Sequence, residues 1–98
     1  MAYNLTILPQ AQEEIQKAFE YYEQLSVSVL TNFDLQLEDV YRNLEINPFY
    51  QVRYKHLRAI PFKSFPFLTF FDVDQDNNII YIYSVFHTSQ DPNKYPVR

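Results

Sequence analysis

The chain has 98 residues, of which 47% are hydrophobic and 20% charged, and a formal net charge of −4. That length suits a single domain over residues 1–98, and no apolar run approaches the ~20 residues of a membrane-spanning helix. Neither cysteine nor glycine occurs. Disulfides, thiolate metal sites, cysteine nucleophiles, the G-x-S-x-G elbow and glycine-rich phosphate loops are therefore excluded.

The opening segment, MAYNLTILPQ, carries no basic stretch and no long apolar core, so the expectation is a cytoplasmic protein without a secretory leader. The charge is unevenly placed. Residues 1–50 hold eight carboxylates against two cations, a balance of −6, whereas residues 51–98 hold six cations against four carboxylates, a balance of +2. Such asymmetry points to an acidic or polyanionic partner for the second half, or to two acidic helices preceding a near-neutral sheet.

Tyr3, Leu5 and Ile7 alternate with Asn4 and Thr6, the pattern of a short strand. Pro9 then opens a helix, because the first helical turn has no partner for the missing N–H. Ala11, Ile15, Ala18, Tyr22 and Leu25 form its apolar stripe, with Glu13, Glu14, Glu20 and Glu23 assigned to the wet side. Ser26 or Ser28 caps a second helix, whose stripe is Leu30, Phe33, Leu37, Val40 and Leu44. Asn47-Pro48 ends this helical hairpin.

From Arg53 the period changes. The run to Ile60 reads as one extended strand, Pro61 and Pro66 bracket a loop, and Phe67 to Val73 and Ile79 to Phe86 are two further strands. Asp74 to Asn78 forms the turn between them, with Asn and Asp standing where glycine would supply positive φ. On the last strand, alternation puts Ile80, Ile82 and Phe86 on the face toward the helices. Tyr81, Tyr83, Val85 and His87 fall on the opposite, accessible face. Residues 91–95 read as a short turn or helical cap. The fold class is α+β: an N-terminal strand, a helical hairpin, then three antiparallel strands in one sheet covered by the helices on one face.

Asp72, Asp74 and Asp76 resemble the start of a calcium loop, but Asn77 and Tyr83 occupy the places of its glycine and final glutamate, so a polar turn is expected and no metal. No cofactor is expected either. The candidate contact surface is Arg53, Lys55, His56, Arg58 and Lys63, five cationic or titratable side chains within eleven residues and no carboxylate among them. Tyr54, Phe62 and Phe65 are interleaved, the composition of a surface that binds phosphate and stacks bases. An edge strand guarded by charge has the same composition. Tyr81, Tyr83 and His87 extend the candidate surface, and β alternation puts Arg58 on one face with His56 and Tyr54.

The order of elements, with PQAQEEIQKAFEYYEQ, Phe65-Pro66-Phe67 opening FPFLTFFDV, and the ending IYIYSVFHTSQDP, resembles the RelE/ParE toxins of type II toxin–antitoxin systems. In the ending, Val85, His87, Asp91 and Pro92 match the motif, while Gln90 stands where an arginine is usual. The resemblance implies a cognate antitoxin as partner, and DNA gyrase or the ribosome and its messenger RNA as target. ParE-like members inhibit gyrase by binding, whereas RelE-like members cleave ribosome-bound messenger RNA without a metal. Leu68 occupies a place that RelE-like members fill with a basic residue, and the net acidity opposes docking on ribosomal RNA. The gyrase inhibitor is therefore the first expectation. The endoribonuclease, with Arg58 and His87 as catalytic candidates, is the alternative, and a degenerate member keeping only fold and antitoxin binding is a third. Self-association stays open.

Overall fold

The computed structural model describes residues 3–90 together with Asn93 and Tyr95. Most of the expected C-terminal turn, including the matched Asp91 and Pro92, lies outside the described residues. In chain order the elements are β1 (Asn4–Ile7), α1 (Pro9–Leu25), α2 (Val27–Ile46), β2 (Val52–Tyr54), β3 (Leu57–Pro61), β4 (Phe67–Asp74) and β5 (Ile79–His87). They form a five-stranded sheet in the order β1-β5-β4-β3-β2. Strands β2 to β5 are an antiparallel meander. β1 joins its far edge in parallel with β5, Asn4 opposite Ile79 and Ile7 opposite Ile82.

The helices follow the chemistry of their ends. Pro9 is the first residue of α1. Ser26 terminates α1 and is also the N-cap of α2, its Oγ accepting from the Val29 N–H at 3.0 Å. Ser28 lies inside the helix. Ala11, Ile15, Ala18 and Tyr22 of α1 and Phe33, Leu37, Val40 and Leu44 of α2 are buried against one face of the sheet. Leu25, the last of the expected α1 stripe, is exposed where the helix ends. Phe33 is the hub of this core: its ring lies 5.2–5.5 Å from those of Phe19, Tyr22, Phe62, Phe65 and Phe67.

Three sequence expectations are corrected. Residues 53–60 are a tight hairpin, β2 and β3, because Lys55 takes a left-handed backbone (φ 55°) and reverses the chain. Four strands therefore follow the helices, not three. In the β4–β5 turn, Asn78 does supply the positive φ expected of a glycine substitute (φ 55°), and Asp74 Oδ1 accepts from the Asn77 N–H.

The second correction concerns β5. Its register against β4 shifts between Phe70 and Phe71: Ser84 pairs with Phe70 and Ile82 with Phe71, leaving Tyr83 as the extra residue of a bulge. A bulge breaks the two-residue alternation. Ile80, Ile82 and Val85 all belong to the helix-side core, while Phe86 packs on the other face with Leu57, Leu68 and Phe70. Tyr54, Ala59, Tyr83 and Tyr95 pack against that second cluster, with the Tyr95 ring 4.9 Å from Phe70 and 5.0 Å from Phe86. Thirdly, the sheet carries buried apolar side chains on both faces, not on the helical face alone.

Candidate functional site

The basic run does not form one surface. Arg53 is exposed on the edge strand β2, and Lys55 and His56 make the β2–β3 turn, Lys55 Nζ lying 5.4 Å from the Tyr54 ring centre. His56 Nε2 approaches Asp72 Oδ2 at 3.7 Å. Lys63 sits in the loop beyond the other end of β3, separated from the turn by five strand residues, roughly 16 Å. Phe62 is buried, stacked on Phe33 at 14° between ring planes, and Phe65 packs on the same ring, so neither is presented to a base.

Arg58 does not share a face with Tyr54. Its Nη1 donates to the Tyr50 carbonyl oxygen at 2.6 Å and its guanidinium lies 5.5 Å from the Phe49 ring centre, on the helix side. Tyr54 packs on the opposite face. The physical reason is the hairpin: the turn at Lys55-His56 and the irregular β2 pairing break the single alternation that had put Tyr54, His56 and Arg58 together. Nor is Arg58 brought to His87. Arg58 pairs with Phe71 and His87 with Phe67, four residues and two strands apart, roughly 16 Å.

What the fold does assemble is a groove of about 310 Å³ between α1 and the end of β5. Phe67, Ala18, Tyr22 and Val85 give it an apolar floor, and Glu14, Lys17, Tyr21, His87 and Gln90 bring its polar groups. His87 enters it because of the bulge, which carries Val85 and His87 away from Tyr81 and Tyr83. Those two tyrosines instead line a shallow hollow beside Leu8 and Asp72, Asp74 and Asp76. The His87 ring meets Phe67 edge-on at 5.1 Å. Ser89 lies against its Nδ1, the backbone N–H at 3.2 Å and the hydroxyl Oγ at 2.6 Å. Burial, and then the neighbouring Tyr21 phenol, raise the Tyr22 pKa, so Tyr22 stays neutral as part of the floor.

Sequence reasoning missed Glu14, Lys17, Tyr21 and Tyr22 as groove residues. The helical pattern puts Glu14 among the solvated glutamates, yet its Oε1 accepts from Ser84 Oγ at 2.7 Å and from the Val85 N–H at 3.0 Å. A signal was present: Glu14 lies three residues after Ala11 and four before Ala18, both in the buried stripe. Small side chains on both sides let a strand approach the helix closely there. Glu13 is different, fully on the wet side and paired with Lys17 at 3.2 Å.

Fold and groove together define a small α+β domain with a mixed sheet, a helical hairpin on one face and a polar-lipped groove where the first helix meets the last strand. Residues 5–92 match the family described as the ParE toxin of type II toxin–antitoxin system, parDE, and the chain belongs to that family. Its class is thus the toxin half of a two-component module whose other half is an antitoxin. Two solved structures share the fold. One is the RelBE2 toxin–antitoxin complex of Mycobacterium tuberculosis, with TM-score 0.60 and 14% identity over 89% of this chain and 99% of that one. The other is a double arginine-to-alanine variant of the Escherichia coli toxin RelE in the free state, with TM-score 0.52 and 19% identity over 87% and 82%. No curated protein matches the sequence. Among the described residues no helix is long and apolar enough to cross a membrane.

Proposed function

We propose that this toxin works at the α1–β5 groove as a RelE-like endoribonuclease on ribosome-bound messenger RNA, in preference to the gyrase inhibitor first expected. The observation that carries this reading is the grouping of His87, Lys17 and Tyr21 around one groove. The names of the two similar solved structures, the RelBE2 complex and the toxin RelE, support it. In metal-independent cleavage the ribose 2′-hydroxyl gives up its proton to water as its oxygen attacks the adjacent phosphorus, the bond to the 5′-oxygen breaks to leave a 2′,3′-cyclic phosphate, and the departing 5′-oxygen takes up a proton. Lys17 would offset the charge that develops on phosphate, and His87, in its protonated form with Nδ1–H turned to Ser89 Oγ, would donate from Nε2 to the leaving oxygen. Tyr21, exposed on the groove wall, offers a ring for a base to stack on. The cognate antitoxin would cover the same groove.

The gyrase inhibitor is the second reading, favoured by the ParE name of the matched family. Induced expression separates the two. The endoribonuclease reading expects transcripts cut within the ribosome, slowed by about 10²-fold in His87→Ala and Lys17→Ala. Intact transcripts with accumulated cleaved gyrase–DNA complexes would overturn it in favour of the inhibitor. Neither lesion, with antitoxin binding retained, would leave a binding-only member of the family.

A further inference from the structure

β5 is longer than the strand beside it. β1 ends at Ile7, opposite Ile82, and the chain leaves the sheet at Leu8, whose N–H donates to the Ile82 carbonyl oxygen at 3.0 Å. Pro9 then starts α1 at once. Among the described residues, β5 therefore has no strand on its outer edge beyond Tyr83, the residue of the bulge. An edge N–H and a buried hydroxyl at such a place need acceptors, since an unpaired buried donor is costly. Ser84 is fully buried and Val85 is 1% exposed. Glu14, in the second turn of α1, meets both needs with one oxygen.

We infer that Glu14 is the positioning residue of the groove: its Oε1 takes the place of a missing neighbouring strand, holds the Ser84–Val85 bulge, and through it presents the His87 ring to the groove. The bonds span 70 and 71 positions of sequence, so the same contact also fixes how close α1 lies to β5, and hence the groove's width. Val85 and His87 lie on the same side of the strand, two residues apart. A shift of the bulge would carry His87 with it, and a displacement of about 1 Å at a reacting group can cost 10²-fold in rate. The role requires an acceptor oxygen at this reach, not a negative charge. Glutamine keeps such an oxygen in the same place, whereas alanine and the shorter aspartate do not.

The inference rests on the proposed function only for its activity arm, so the experiment has two arms. In the first, amide hydrogen exchange and the His87 ring resonances are followed by NMR on the full chain. Glu14→Gln is expected to keep Val85 protection and the His87 shifts. Glu14→Ala is expected to lower Val85 protection roughly tenfold relative to the Ile82 amide and to move the His87 shifts. In the second, growth arrest on induction is expected to weaken by about 10²-fold in Glu14→Ala and to return in Glu14→Gln. If the alanine variant does not fold, Glu14→Asp carries the same comparison. Unchanged Val85 protection and unchanged His87 shifts in the alanine or aspartate variant would overturn the inference. So would a glutamine variant as impaired as alanine, which would assign Glu14 a role through its charge. If the wild-type chain arrests nothing, the proposed function falls, and the exchange arm still decides the role of Glu14.

Discussion

Arg58 Nη1 donates to the Tyr50 carbonyl oxygen at 2.6 Å, tying β3 to the loop that follows α2. The guanidinium also lies over the Phe49 ring, so one side chain fastens two consecutive residues of a loop that has no regular structure of its own. A cation used in this way belongs to the scaffold. Arg58→Ala is therefore expected to cost about 2 kcal/mol, the loss of a charge-assisted bond to a half-buried carbonyl, and to lower Tm by roughly 8–16 °C. Thermal unfolding checks it. A variant with unchanged Tm but lost toxicity would return Arg58 to the working surface.

Thr69 is fully buried on β4, and its Oγ1 has no hydrogen-bond partner among the described residues. Burial of an unpaired hydroxyl is unfavourable, and valine has nearly the same shape with a methyl in its place. Thr69→Val is expected to stabilise the fold by about 1 kcal/mol, raising the urea midpoint without changing the slope of the transition. A lower midpoint would show that the hydroxyl has a partner.

Lys55 adopts positive φ with a full side chain, in a chain without glycine. Left-handed backbone costs an L-residue about 1 kcal/mol or more, and glycine does not bear that cost. Lys55→Gly is expected to stabilise the β2–β3 hairpin by up to about 1 kcal/mol, and Lys55→Val to destabilise it by at least as much. Chemical denaturation of the pair gives the comparison, and equal midpoints would remove the left-handed turn as the reason for the hairpin.

Tyr41 is held neutral beyond the usual range: burial first, then the carboxylates of Glu38 and Asp34, raise its pKa from 10.0 to about 12. Because the folded value lies above the unfolded one, the stability this group contributes is complete below pH 10 and is lost as pH rises toward 12. Tm of the wild type is expected to fall across that window more steeply than Tm of Tyr41→Phe, which has no phenol to ionise. Parallel curves for the two proteins would count against this account.

Much of this molecule was legible from the chain alone, wherever one local rule decided the outcome. Pro9 at the start of α1, the two four-and-three stripes, Ser26 as cap, and Asn78 standing for glycine each depend on contacts a few residues apart. The candidate site was far less legible. Its residues come from α1, the start of β4 and the end of β5 with Gln90 just beyond, and what brings α1 and β5 together is a bulge at Tyr83 and a glutamate 70 positions from Ser84. Period-two alternation foresaw Tyr81, Tyr83 and His87 on one face, and a single extra residue moved His87 to the other. Likewise the basic run from Arg53 to Lys63 is contiguous only in sequence, since a turn and a strand divide it in space. Local sequence determined which segments became helix, strand and turn, because backbone preference and apolar period act over a few residues. Tertiary structure alone decided which side chains meet in the groove. Strand register and the satisfaction of edge N–H groups are settled only when distant elements pack together.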